Sequence, residues 1–190
     1  MTKVLFLFLF FAFLAPVAFA QDDYNKYDIY AGFSHNRVDI GDTGGFISER
    51  EGFNGFEVAV KGNVSRYVGL KGDYSFHRKT FSEPFGLTVV DIDATLHNIL
   101  GGVEIKDNNT ETKVKPFAHL LAGLAHVKLS SDFVGVSESD SGFGAAVGGG
   151  IDIRLNRRVD FRAIQFDYNP TRIQGETQHN FRIGIGLVFR

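Results

Sequence analysis

Phe181-Arg182-Ile183-Gly184-Ile185-Gly186-Leu187-Val188-Phe189 places a large apolar side chain at every second position. Phe181, Ile183, Ile185, Leu187 and Phe189 share one face, and Arg182, Gly184, Gly186 and Val188 share the other. A period of two is the signature of a β-strand, because successive side chains leave a pleated backbone on opposite sides. The same alternation recurs upstream. Phe56, Val58 and Val60 oppose Glu57, Ala59 and Lys61; Val68, Leu70, Tyr74 and Phe76 oppose Lys71, Asp73, Ser75 and His77; Val147, Ile151 and Ile153 oppose Gly148, Gly150, Asp152 and Arg154.

Working outward, eight such runs are found, at 27–38, 53–64, 68–77, 89–105, 114–127, 143–155, 159–168 and 178–189. Most reach the ~9–11 residues that a tilted strand needs to cross a bilayer. The connections alternate in length. Those at 65–67 and 155–158 are short and 107–113 is only modestly longer, whereas 39–52, 78–88, 128–142 and 169–177 are longer and carry Gly, Ser, Asp and Glu. In an up-and-down arrangement the short turns and both chain ends fall on one rim and the long loops on the other. The expected fold class is all-β: an eight-stranded antiparallel up-and-down transmembrane β-barrel.

The direction of the alternation separates a membrane barrel from a soluble one. The polar face carries five acids, Asp28, Glu57, Asp73, Glu104 and Asp152, and five bases, Lys61, Lys71, Arg154, Arg162 and Arg182. An Arg or Lys pointing into lipid near the bilayer midplane costs about 2–4 kcal/mol. Balanced charges suit a lumen instead, where buried ions are tolerated when paired. The small residues beside them, Gly148, Gly150, Gly184 and Gly186, suit the narrow interior of an eight-stranded barrel. The charges are therefore expected inside as a lumen ion network, with Phe, Val, Ile and Leu against lipid. Tyr24, Tyr27 and Tyr67 fall near the proposed inner rim and Tyr168 near the outer, where an aromatic girdle belongs. Strict alternation sets Arg162 and Asp167 on opposite faces, so the seventh strand needs a bulge or an outward polar residue. In the fifth, Leu120-Leu121 leaves the register open.

The ends and the composition agree with export. Lys3, the apolar run 4–14 and the small residues Ala18 and Ala20 form a signal peptide over 1–20, with cleavage expected before Gln21 and the barrel domain spanning 21–190. The apolar run is shorter than the ~20 residues of a spanning helix. The remaining chain carries 19 basic and 22 acidic residues, with no basic footprint for nucleic acid. With no cysteine, the exported chain is not a disulfide-stapled scaffold.

The last strand resembles the carboxy-terminal assembly signal of outer-membrane barrels, through Arg182, Gly184, Leu187 and Phe189; Arg190 is one residue beyond the usual terminal aromatic. The stretches 114–127, containing Lys115-Pro116-Phe117, and 158–168 resemble strands of the OmpA/OmpX-type outer-membrane β-barrel domain family. The resemblance covers 24–190. It implies localisation in the cell outer membrane, contact with outer-membrane lipid, and engagement of the barrel assembly machinery during insertion. It says little of activity, since the family includes adhesion, resistance and purely structural proteins.

Other motifs carry less. The glycines of 142–150 would need a following helix to cradle a phosphate, and Ile151-Asp152-Ile153 continues as a strand. The histidines at 35, 77, 97, 119, 126 and 179 show no zinc spacing, so neither a cofactor nor a metal is expected. Ser34-His35 and Ser75-Phe76-His77 lie near the outer rim, where a Ser–His pair can act on lipid, but no orienting carboxylate is assigned. The leading expectation is a non-enzymatic envelope protein whose lumen is plugged and whose loops 39–52, 78–88, 128–142 and 169–177 meet a surface ligand. The alternatives are a soluble lipocalin-like ligand-binding barrel with an apolar lumen and an outer-membrane lipid-modifying enzyme.

Overall fold

The computed structural model describes residues 24–39, 50–85, 88–131, 136–173 and 175–190. The expected signal peptide, 1–20, and most of the first outer connection lie outside the described residues. Eight strands follow one another: β1 (Tyr27–Asp39), β2 (Arg50–Asn63), β3 (Val68–Phe85), β4 (Thr88–Lys106), β5 (Val114–Ser131), β6 (Val136–Arg154), β7 (Val159–Ile173) and β8 (Glu176–Phe189). Each pairs antiparallel with its sequence neighbours, and β8 returns to β1 from Ile29↔Phe189 to Arg37↔Phe181, closing the barrel.

The alternation sorts the two faces as the charge argument requires. Large apolar side chains stand exposed on the outer wall, among them Ile29, Phe33, Phe56, Val60, Leu70, Ile99, Leu124, Val147, Phe166, Ile183, Ile185 and Phe189. The buried interior holds Asp28, Glu57, Lys61, Lys71, Asp73, Glu104, Asp152, Arg162 and Arg182. A barrel with a polar inside and an apolar outside is inverted relative to a water-soluble one, and a lipocalin-like reading, which needs an apolar lumen, does not fit it.

Both uncertain registers resolve. In β5, Leu120 is 60% exposed and Leu121 1%, so Leu120 meets lipid and Leu121 the lumen. In β7 the pairing slips between Arg162↔Gly186 and Gln165↔Gly184 and, against β6, between Ile151↔Ile164 and Asp152↔Arg162. This bulge absorbs the residue that strict alternation cannot place, and Arg162 and Asp167 both end up buried inside.

The outer connections are a correction. Residues 78–85, 88, 128–131, 136–142, 169–173 and 176–177 are strand, not loop, so the stretches read as 78–88, 128–142 and 169–177 are largely hairpin extensions. Pairing continues through Lys79↔Ala94, Thr80↔Asp93 and Lys128↔Ser139 after the apolar alternation has faded. Where a hairpin rises above the bilayer its outward face meets water and turns polar, as at Arg78, Thr80 and Ser82, so the apolar period is lost while the backbone ladder keeps its hydrogen bonds. Gly175, at φ 89°, turns the β7–β8 hairpin in the left-handed region open to glycine.

The inner rim is tied down locally. Asn63 donates from its amide to the Asn25 carbonyl at 2.7 Å, and Tyr24 bridges to Asn109. Arg66 reaches across to Asp107 at 3.0 Å and, with the Thr112 hydroxyl, holds that carboxyl down at about 2.

Facing lipid near mid-height, Leu120 gives a test of which side is which. Leu120→Lys is expected to lower stability in lipid vesicles by about 2–4 kcal/mol in chemical unfolding. A neutral effect would mean that this face meets water.

Candidate functional site

The lumen is filled by charge laid down in layers, each strand contributing from its inward positions. At the inner end Lys61, from β2, donates from Nζ to Glu104 Oε1 and Asn108 Oδ1, each at 2.9 Å, and lies 2.9 Å from Asp28 Oδ2. Lys106 joins Asp28, at 2.8 Å, to Asp152, at 3.0 Å. Arg162 forks onto Asp152 through Nε at 2.8 Å and Nη2 at 3.2 Å, and donates from Nη1 to Gln165 at 2.7 Å. Its guanidinium lies 4.3 Å from the ring centroid of Tyr30 and 4.0 Å from that of Phe117, so the aromatic faces carry part of its charge.

The middle layer centres on Arg182. Its Nε donates to Asp167 Oδ2 at 2.9 Å and its Nη1 to Asp73 Oδ1 at 3.1 Å, with Glu57 Oε2 at 3.6 Å. Lys71 lies 3.5 Å from Asp73, 3.7 Å from Glu57 and 3.8 Å from Glu104, linking the middle layer to the inner one. Gln165 donates to both Glu57 and Asp167. His119 Nε2 lies 3.0 Å from Asp167 Oδ1, and its Nδ1 faces Lys71 Nζ at 3.3 Å. The space lined by Lys61, Lys71, Glu104 and Arg162 accommodates about one water molecule.

Above the ions the chemistry changes. His77 and Ser34 share a hydrogen bond of 2.9 Å, Asn98 donates to Ser75 at 3.2 Å, and Asn180 donates to Thr171 at 3.1 Å. At the outer end Val38, Phe53, Ala94 and Leu96 form a buried apolar cluster, with Phe81 and Val127 packed on it. The lumen thus runs from ion pairs through neutral polar groups to an apolar cap.

Of the residues read from sequence as lumen-lining, Glu57, Lys61, Lys71, Asp73, Glu104, Asp152, Arg162 and Arg182 come together here. Arg154 does not. It sits at the inner mouth, where its guanidinium takes the Thr110 carbonyl and lies 3.8 Å from Glu111. The β4–β5 turn supplies these oxygens beside it, so Arg154 is partnered without reaching the network. Sequence reading missed Lys106, Lys115, Asp160, Gln165 and Asp167 as lumen residues. Asp160 and Arg162 share a parity, as do Lys115, Phe117 and His119, so alternation alone contained that signal. Arg190, one residue past the terminal aromatic, turns its guanidinium onto Asp160, and Lys115 lies 3.7 Å from the same carboxylate. Among the described residues, with Arg190 counted, the buried Lys and Arg side chains match in number the carboxylates they pair with. Of the remaining terminal-strand residues, Leu187 and Phe189 face outward, while Gly184 faces the lumen 3.2 Å, at its missing Cβ, from the Tyr30 hydroxyl.

The Ser–His candidates separate. His35 bonds Asn54 at 2.7 Å on the outer wall, whereas Ser34, Ser75 and His77 are buried in the lumen. Among the described residues no group of three or more His, Cys, Asp or Glu side chains is placed to hold a metal ion.

Removing one partner from such a network leaves the others as uncompensated buried charge. Arg182→Gln should cost about 3–5 kcal/mol, read as a lower guanidinium midpoint in vesicles. Adding Asp167→Asn should recover part of that loss. A single variant as stable as the parent would show that solvent reaches Arg182.

Comparison with known proteins agrees with this architecture. Ail, the attachment invasion locus protein of Yersinia pestis, solved in complex with the heparin analogue sucrose octasulfate, is 21% identical, with a TM-score of 0.58 over 86% of this chain and 97% of its own. Neisserial surface protein A is 13% identical, with a TM-score of 0.63 over 88% of this chain and 99% of its own. OprG of Pseudomonas aeruginosa is 12% identical, with a TM-score of 0.50 over 86% and 94%. At these identities the likeness concerns the fold. No curated protein matches the chain. The model of the outer membrane protein beta-barrel domain matches residues 5–189, and the chain belongs to that family of outer-membrane barrels.

Proposed function

We propose that the protein is a non-enzymatic component of the outer membrane: a barrel whose lumen is sealed by its ion network and which holds rigid hairpins above the outer surface to meet a ligand there. The observation that carries this reading is the continuity of the network, from Lys106 and Asp152 through Glu104 and Lys71 to Asp73 and Arg182, beneath the apolar cap. Each ion is neutralised by fixed partners, so a permeating ion would have to displace a buried pair and carry its own desolvation penalty.

The surface role rests on length. β3 to β6 run to 18 or 19 residues, well beyond the ~9–11 that a bilayer requires. Their outer portions carry Arg78, paired with Asp93 at 2.7 Å, Thr80 and Ser82, a water-facing surface with no use in lipid. The contact regions are those of 39–52, 78–88, 128–142 and 169–177. Ail was crystallised with a heparin analogue, which supports the idea that barrels of this shape take ligands from outside. The non-enzymatic reading is supported by the burial of Ser34 and His77 in the lumen, away from lipid. The role of Arg182, Gly184, Leu187 and Phe189 as an assembly signal belongs to the same proposal.

The test is electrical. In planar bilayers the folded protein should give no stable channels of nanosiemens conductance. Arg182→Gln with Arg162→Gln, if the barrel still forms, should admit small ions. Stable large channels from the unaltered protein would overturn the sealed lumen.

A further inference from the structure

We propose a divalent transition-metal site on the outer wall, formed by His97 of β4 and His126 of β5. Sequence spacing hides it, because the two histidines are far apart along the chain; strand register creates it. His97 and His126 are directly opposed in the β4–β5 ladder, and both project outward. Their ring centroids are 6.1 Å apart with 52° between the planes. Two imidazoles sharing one ion at metal–nitrogen distances of ~2.0–2.1 Å have centroids roughly 5–6 Å apart, so a small side-chain rotation suffices.

The second observation is how each ring is held. Tyr74, on β3, is hydrogen-bonded to His97 Nδ1 at 3.0 Å, and Ser141, on β6, to His126 Nδ1 at 2.8 Å. Metal-binding histidines characteristically donate their other ring N–H to such a partner, which orients the ring and raises its basicity. With each Nδ1–H given to a hydroxyl oxygen, Nε2 of each ring keeps the lone pair that ligates. The strands alternate hydroxyl, imidazole, imidazole, hydroxyl along one ladder row and its neighbour, with Phe76 against His97 at 5.0 Å between centroids shielding one side. Imidazole nitrogen selects Zn(II), Ni(II) or Cu(II) over the hard ions Ca(II) and Mg(II). Water completes the coordination shell. Charges at this level on the same wall are Arg78, which is paired with Asp93, and Lys128 beyond His126; Ser139, Ser141 and Phe143 of β6 bring none.

The experiment titrates the folded, untagged protein in detergent with Zn(II), Ni(II) and Cu(II) by calorimetry, and follows quenching of tyrosine fluorescence by Cu(II), with Tyr74 adjacent and no tryptophan to obscure it. One saturable site per chain is expected at neutral pH, where neutral imidazole is the ligating form. His97→Gln and His126→Gln should each abolish it, and Tyr74→Phe should weaken it about tenfold. His35→Gln and His179→Gln should leave it intact. Mobility with and without boiling reports that each variant is folded. Absence of a saturable site in the unaltered protein, or binding that survives loss of either His97 or His126, would overturn the proposal.

Discussion

Every backbone amide and carbonyl inside a bilayer must find its partner within the protein, since lipid offers none. The pairing of β8 with β1, from Ile29↔Phe189 to Arg37↔Phe181, meets that demand by removing the last free edge. The other features follow from closure with eight strands. The circumference is small, so the interior has room for side chains and little else. The inward positions must fill that space, and the outward ones must be apolar. One geometric act therefore dictates two opposite chemistries on alternate residues.

Closure alone does not require the interior to be charged. An apolar filling would pack as well, but a strand apolar on both faces reads as a continuous hydrophobic run. Stretches of that kind approach the ~18 residues that mark a spanning helix, and an exported chain carrying them would be stranded on its way. Alternation keeps every segment polar enough to remain in water until it inserts. The cost is a lumen full of ions, and it is offset by pairing. Arg182 meets Asp73, Asp167 and Glu57, while Lys61 and Lys106 share Asp28. Because these partners lie on different strands, each pair also fixes the register of one strand against another. The ions thus favour this barrel over slipped alternatives, a specificity that uniform apolar packing would not confer.

The period of two made the strands, the direction of the faces and most of the lumen residues legible in the sequence. Even the conflict between Arg162 and Asp167 was informative, because two charges that cannot share a face in regular alternation mark the place of a bulge. Legibility ended where the environment stopped being two-sided. Above the bilayer the outward positions Arg78, Thr80 and Ser82 of β3 meet water rather than lipid, so the hairpin 78–88 reads as loop although its backbone is still paired. At the inner mouth Arg154 turns to the Thr110 carbonyl and Glu111 of the neighbouring turn rather than to the network. Lys106 and Arg190 were missed because both lie just past the last outward apolar residue of their strands, Ile105 and Phe189. The meeting of His97 with His126 depends on register, which side-chain period does not encode.

The strands are unequal in length, and the inequality has a direction. β1, β2, β7 and β8 have 13 to 15 residues, whereas β3, β4, β5 and β6 have 18 or 19. Lipid and closure demand the same length of every strand, so neither explains the excess. Among the described residues it rises on the outer rim as two adjacent hairpins, β3–β4 and β5–β6. Backbone pairing makes these hairpins stiff, so any surface they present is preformed and loses little entropy on contact. The membrane-spanning half is constrained by lipid outside and ion pairing inside and has little freedom to vary. The outer half of β3–β6 is constrained by neither. Function on a scaffold resides where the scaffold's own requirements leave side chains free, and the proposed surface role rests on that tall side.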